Sequence, residues 1–172
     1  MDLKVKIYQK RAENEFQLSK ALVKLSEDDT IKLELEINKE ETYYSSSVSH
    51  AYYAIFYSAK SLLLTKGIEP KSPEVHKKTL EAFEKEFVNT GIVDLHLLEI
   101  YKKIVIRADE LLGVFKEEKW KRGHYTYQTI PQANKEPAEE SVENAKLFIT
   151  NINQIIEKIR LAEEKKKTSQ SL

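Results

Sequence analysis

The stretch Lys116-Glu117-Glu118-Lys119-Trp120-Lys121-Arg122-Gly123-His124-Tyr125-Thr126-Tyr127 holds the residue types in this sequence that could do chemistry at close quarters. Lys119, Lys121 and Arg122 can neutralise phosphates, and the rings of Trp120, Tyr125 and Tyr127 offer faces on which unpaired bases stack. His124 adds a group that exchanges a proton near neutral pH. The same residues also read as a solvated helix end that its aromatic side chains pin to a helical body. Upstream, Arg107-Ala108-Asp109 places a guanidinium among Ile104, Val105, Ile106 and Leu111, where a charge must be paired or face a cleft. Arg107 is therefore either half of a structural ion pair or a functional cation.

Other chemistries find little footing. There is no cysteine, which removes disulfides, thiol nucleophiles and thiolate-bound metals together. Gly67, Gly91, Gly113 and Gly123 are isolated, so no phosphate-cradling loop or dinucleotide fingerprint is present, and neither a nucleophile elbow nor a paired-histidine zinc motif occurs. His50, His76, His96 and His124 fall on four different elements and make no ligand set, so no metal and no cofactor is expected. His50 reads as a hydrogen-bonded imidazole of the core or of an interface, and His76 and His96 as surface residues. The 28 basic and 28 acidic side chains cancel, so any nucleic-acid site must be a local patch.

The elements that must position these groups are helices. A chain of 172 residues is one domain's worth, and 4 Gly, 4 Pro and 33% charged residues favour helical packing over disorder or a β-sandwich. Apolar positions recur at helical spacing from Asp2 to about Leu25, in Leu3, Ile7, Ala12, Phe16, Ala21, Leu22 and Leu25. Ile31, Leu33, Leu35 and Ile37 then alternate with charged residues. That is a strand pattern, but a lone strand leaves its backbone groups unsatisfied, so Thr30 to Asn38 reads as a connecting segment without assigned conformation.

From Thr42 to Ala59 there is no Lys, Arg, Asp or Glu, yet Ser45, Ser46, Ser47, Ser49 and the tyrosines 43, 44, 52, 53 and 57 do not suit hydrocarbon. No membrane span is expected. The run predicts a central helix from about Tyr44 to Lys66, deepest at Val48, Ala51, Tyr52, Ile55, Ala59, Leu62 and Leu63 and ended by Gly67. Ser72-Pro73 should open the next helix, which closes at Asn89-Thr90-Gly91. A long helix follows from about Asp94 to Trp120, with Leu95, Leu98, Tyr101, Ile104, Val105 and Ala108 inward. A loop spans 123–137, and Pro137 opens a last helix whose Ala138, Val142, Ala145, Ile149, Ile152, Ile156 and Ile159 form one seam before a frayed polar tail at 163–172. Met1-Asp2-Leu3-Lys4-Val5-Lys6 puts charges where a secretory leader needs an apolar run, so a cytoplasmic protein is expected.

Ser49-His50-Ala51-Tyr52-Tyr53-Ala54-Ile55-Phe56-Tyr57-Ser58-Ala59-Lys60-Ser61-Leu62-Leu63 and the following Lys66-Gly67-Ile68-Glu69-Pro70-Lys71-Ser72 resemble the prokaryotic HEPN domain family. Glu86-Phe87-Val88-Asn89-Thr90-Gly91 and Arg107-Ala108-Asp109 resemble that family's following helix and its Arg with a nearby Ala-Asp. The resemblance implies an antiparallel bundle that commonly forms homodimers and is often paired, as toxin and antitoxin, with a small nucleotidyltransferase. Active members are metal-independent ribonucleases in which an Arg is followed after four to six residues by a His. Here that spacing from Arg107 reaches Leu112, Gly113 and Val114, while His124 has Lys119 in the upstream position and Arg122 too close.

The reading is thus a single all-α domain over 1–172, an antiparallel bundle of about five helices. Its expected role is that of an RNA-directed HEPN protein, the toxin-like half of a toxin-antitoxin or defence pair. Arg107 and His124 are the candidate catalytic groups of a degenerate ribonuclease motif, and Lys119, Lys121, Arg122, Tyr125 and Tyr127 the RNA-holding ones. The alternative is a non-catalytic helical module that binds a nucleotide or pairs with a nucleotidyltransferase.

Overall fold

The computed structural model describes residues 3–121 and 135–169, with side chains for 3–108, 135–166, 168 and 169. Six α-helices follow one another: α1 (Leu3–Glu27), α2 (Asp29–Glu34), α3 (Tyr44–Thr65), α4 (Val75–Phe83), α5 (Leu95–Lys121) and α6 (Lys135–Ser169), with α4 running directly into a π-helical turn, Glu84–Val88. Side-chain pairs give the directions. Glu15 meets His50 and Ser26 meets Tyr43, so α1 runs against α3. Gln9 meets Asn153 and Glu27 meets Lys135, so α1 also runs against α6. Tyr101 meets Phe148 and Arg107 meets Pro137, so α5 runs against α6. The result is the expected antiparallel all-α bundle, and among the described residues no helix is long and apolar enough to cross a membrane.

The uncharged run is the central helix. Val48, Ala51, Tyr52, Ile55, Ala59, Leu62 and Leu63 are all buried, and α1, α4, α5 and α6 each pack on α3. Small residues let α1 lie close to it. Ser19 Oγ donates to the Ser47 carbonyl at 2.8 Å and Ser47 Oγ donates to the Ser19 carbonyl at 2.9 Å, so two hydroxyls on buried faces are satisfied reciprocally. Beyond α3, Phe83, Tyr101 and Phe148 join α4, α5 and α6 in one aromatic contact, with ring centres 5.5 to 5.8 Å apart. Burying side chains of this size contributes about 1.5–3 kcal/mol each. At the end of α3 the expected stop is present. Gly67 takes φ +72°, and Ile68 N–H reaches back to the Leu63 carbonyl at 3.1 Å, closing a turn that a side chain at position 67 would strain.

Several expectations are corrected. The alternating segment at 30–38 begins as the short helix α2, because Asp28 Oδ1 accepts from Thr30 N–H and Ile31 N–H and nucleates a turn, whereas no neighbouring strand exists among the described residues to pair with an extended chain. Leu33 is consequently 78% exposed, so its alternation did not report a buried face. Ser72-Pro73 does not start a helix. α4 begins at Val75 after Glu74, which sits in the left-handed region. Leu3, Ile7 and Leu95 face outward; Val5, between the first two, is buried, so Leu3 and Ile7 lie on the open side of α1. α6 starts at Lys135 rather than Pro137, and it stays helical from Glu163 to Ser169, where the sequence pattern suggests fraying. Arg160 bridges Glu157 and Glu164 one turn to each side and supports that extension without burial.

Candidate functional site

Arg107 stands on the inner edge of α5, directly across from the first turns of α6. Pro137 is tolerated there because an amide in the first helical turn has no intrahelical acceptor. Its carbonyl accepts from Ser141 Oγ, one turn later, at 2.6 Å, and from Arg107 Nη1 at 3.1 Å. Arg107 Nη1 also donates to Ser141 Oγ at 2.9 Å, and Nη2 donates to Glu140 Oε2 at 2.9 Å. The guanidinium fork thus grips three groups in the first turns of α6. Its side chain is 21% exposed, and that of Glu140 is 43% exposed.

Glu140 serves two cations. Lys103, one turn before Arg107 on the same face of α5, donates to its other carboxylate oxygen. The hydrogen bond from Lys103, and after it that from Arg107, hold the Glu140 carboxyl below the usual carboxylate range. Chemically the cluster is a cationic pair with one shared carboxylate, open to water on the Glu140 side.

Of the residues singled out from sequence, Arg107 is the one whose side chain the structure describes. Lys119 and Lys121 lie on the last turn of α5, with side chains outside the described set. Arg122, His124, Tyr125 and Tyr127 fall in 122–134, also outside the described residues, so the catalytic pairing of Arg107 with His124 has no geometry to report. What sequence reasoning missed is Glu140, which meets Arg107, and Lys103, which shares that carboxylate with it. Lys103 was signalled by its four-residue spacing. Glu140 was not, because nothing local marks a carboxylate that arrives from another helix. Among the described residues no three His, Asp or Glu side chains gather as a metal site.

The other histidines divide. His50 Nδ1 lies 2.6 Å from Glu15 Oε2, the hydrogen-bonded imidazole expected of it. His96 is exposed as anticipated. His76 is part-buried rather than a plain surface residue: Tyr52 Oη lies 2.6 Å from its Nδ1 and its ring stacks on Phe56 with centres 4.2 Å apart, so it docks α4 onto α3.

Comparison with known proteins now bears on this arrangement. The sequence profile of the HEPN domain matches residues 19–159. A protein of Methanocaldococcus jannaschii that carries the name "Putative toxin" is 31% identical over 139 residues, 81% of this chain and 89% of its own length. A second protein of that organism with the same name is 40% identical over 86 residues, 49% of this chain and 56% of its own. A "UPF0332 protein" of Thermotoga maritima is 31% identical over 117 residues, covering 68% and 76%. The matched span begins within α1 and ends within α6, taking in the central α3 and both helices that Arg107 joins, and on that ground the chain belongs to the HEPN domain family.

Proposed function

We propose that this HEPN protein is toxin-like, acts on RNA as a homodimer, and is held in check by a nucleotidyltransferase-type antitoxin. One observation carries the RNA reading: the cationic pair of part-buried Arg107 and exposed Lys103 sits on the same helix that leads into the basic and aromatic run Lys119, Lys121, Arg122, Tyr125 and Tyr127. Cations there would meet phosphates and the rings would meet unpaired bases. In this reading Arg107 holds the scissile phosphate and His124 moves a proton at the ribose hydroxyl. The relatives named "Putative toxin" support the toxin-like role.

The test is incubation of the purified protein with a mixed RNA pool in EDTA, beside His124→Ala and Arg107→Ala, together with growth on induction in cells. Cleavage and growth arrest that both depend on His124 are the expected result. A folded protein that leaves RNA intact and growth unchanged overturns the proposal.

A second reading has its own support. Arg107 is already engaged by Pro137, Ser141 and Glu140, as a purely architectural residue would be. The chain would then be a non-catalytic module that binds a nucleotide or pairs with a nucleotidyltransferase, and it would co-purify with that partner or gain thermal stability on adding nucleotide.

A further inference from the structure

The tyrosines of the uncharged run are not all core. Tyr53 and Tyr57 are only half-buried, on the face of α3 that α1 and α4 leave partly open. With Tyr8 of α1 and His76 of α4 they form a continuous row: Tyr8 to Tyr57 is 5.8 Å between ring centres, Tyr57 to Tyr53 is 6.1 Å, and Tyr53 to His76 is 6.0 Å.

Two cations border this row. The Arg11 guanidinium lies 5.4 Å from the centre of the Tyr8 ring and 5.7 Å from that of Tyr57. The Lys60 ammonium lies 4.6 Å from the Tyr8 centre and donates to Tyr8 Oη at 3.2 Å. Lys60 is 8% exposed, and among the described residues neither it nor Arg11 is in an ion pair. The carboxylates of this face, Glu15 and Glu69, are already held by His50 at 2.6 Å and Lys4 at 2.9 Å. Lys60 is enclosed over the Tyr8 and Phe56 rings, 4.6 and 5.6 Å from their centres, so Arg11 is the cation of this face that a phosphate would meet. Rings in a row with unpaired cations beside them are the means by which proteins hold unpaired nucleic acid, bases on the π-faces and phosphates on the cations.

We propose that this α1–α3 face is a binding site for single-stranded RNA, separate from the α5–α6 junction, with Tyr53 and Tyr57 stacking bases and Arg11 taking a phosphate. The inference rests on the RNA reading above and says where a second stretch of the substrate would lie.

The experiment is fluorescence anisotropy of the full-length protein with a labelled single-stranded oligouridylate, in EDTA and at several salt concentrations. The double variant Tyr53→Leu, Tyr57→Leu should bind about 10- to 100-fold more weakly, since stacking on a ring is worth roughly a factor of ten per base. The double variant Tyr53→Phe, Tyr57→Phe, which keeps the rings, should bind as the parent does. Arg11→Gln should lower the slope of log affinity against log salt by about 0.7, one phosphate contact on a single strand. Circular dichroism and sedimentation on each variant show that fold and mass are unchanged. If the leucine and glutamine variants bind like the parent while Lys119→Gln, Lys121→Gln does not, RNA stays with the α5 end and this face is no site. A parent protein that binds no RNA overturns the RNA reading and this site with it. Loss of binding together with a change in mass overturns the inference by making the face an interface between copies of the chain.

Discussion

Replacing Arg107 by alanine separates a structural from a catalytic role, and its cost can be worked from the geometry. Three hydrogen bonds go. The one to Glu140 is open to water on the carboxylate side, so with solvent screening it contributes about 0.5 kcal/mol. The Pro137 carbonyl keeps its bond from Ser141 Oγ, so it is not orphaned. That leaves the charged bond to buried Ser141, worth about 1.5 kcal/mol, plus the packing of the arginine stem. The two bonds sum to about 2 kcal/mol, a floor to which the stem packing adds, and at this chain length that lowers Tm by at least about 4–8 °C. Urea melts of the parent, Arg107→Ala, Glu140→Gln and the double variant would check it, with a coupling of about 0.5 kcal/mol between the two positions. Arg107→Lys should recover only part of the loss, because an ammonium cannot span three acceptors. If Arg107→Ala melts within about 0.5 kcal/mol of the parent, the fork does not clamp α6 and the reasoning fails.

Three further outcomes follow from other parts of the fold. Ser47→Ala removes one of the two reciprocal serine bonds between α1 and α3 and should cost about 1–3 kcal/mol in a denaturant melt, whereas serine-to-alanine changes at exposed Ser46 should cost almost nothing. Among the described residues the buried Tyr101 hydroxyl has no hydrogen-bond partner, so Tyr101→Phe should be neutral or stabilising by up to about 1 kcal/mol; a large loss would mean that the hydroxyl is satisfied in solution. Burial, and next the nearby Tyr52, push the Tyr101 phenol well above the ordinary tyrosine range, so alkaline spectrophotometric titration should leave it protonated after exposed tyrosines have ionised. Glu140 has a lowered folded-state pKa, so its contribution to stability is present above the unfolded value and is lost as pH falls through the folded one. The stability gap between parent and Glu140→Gln should therefore be open at pH 7 and shrink as the pH falls below the ordinary carboxylate range, and a gap that stays constant on acidification would contradict the Lys103–Glu140–Arg107 arrangement.

The fold was legible wherever one residue's environment depends on its own helix. The silence of charges from Thr42 to Ala59 marks a helix surrounded by others, and the seam from Ala138 to Ile156 marks the inner stripe of α6. Failures occur where local pattern and tertiary coverage part company. Leu33 and Leu35 alternate like a strand, but a single aspartate cap at position 28 outweighs a pattern with no partner. His76 looks polar and external from its neighbours in sequence, and only the approach of Tyr52 and Phe56 from α3 encloses it. The candidate site was half legible for the same reason. Arg107 announces itself as a charge in an apolar stripe, while Glu140 and Ser141 reach it across a helix pair whose register no local spacing encodes.

That register also sets a condition on any RNA chemistry at Arg107. Glu140 holds both Lys103 and Arg107, so an incoming phosphate competes with it for the same donors. The two bonds from Nη1 go to neutral acceptors on α6 and need not break. Nη2, facing the more exposed carboxylate, is the nitrogen that can turn from Glu140 to a phosphate oxygen. Glu140→Gln removes the competitor's charge and leaves a neutral amide, so two effects of opposite sign should appear in one variant: lower stability at pH 7 and tighter RNA binding at low salt, by roughly 3- to 10-fold for about 1 kcal/mol of relieved competition. General loosening of the fold cannot give both, because it weakens binding as it weakens the protein. If Glu140→Gln loses stability and RNA affinity together, Arg107 belongs to the architecture alone, and the phosphate contacts must be sought at the far end of α5.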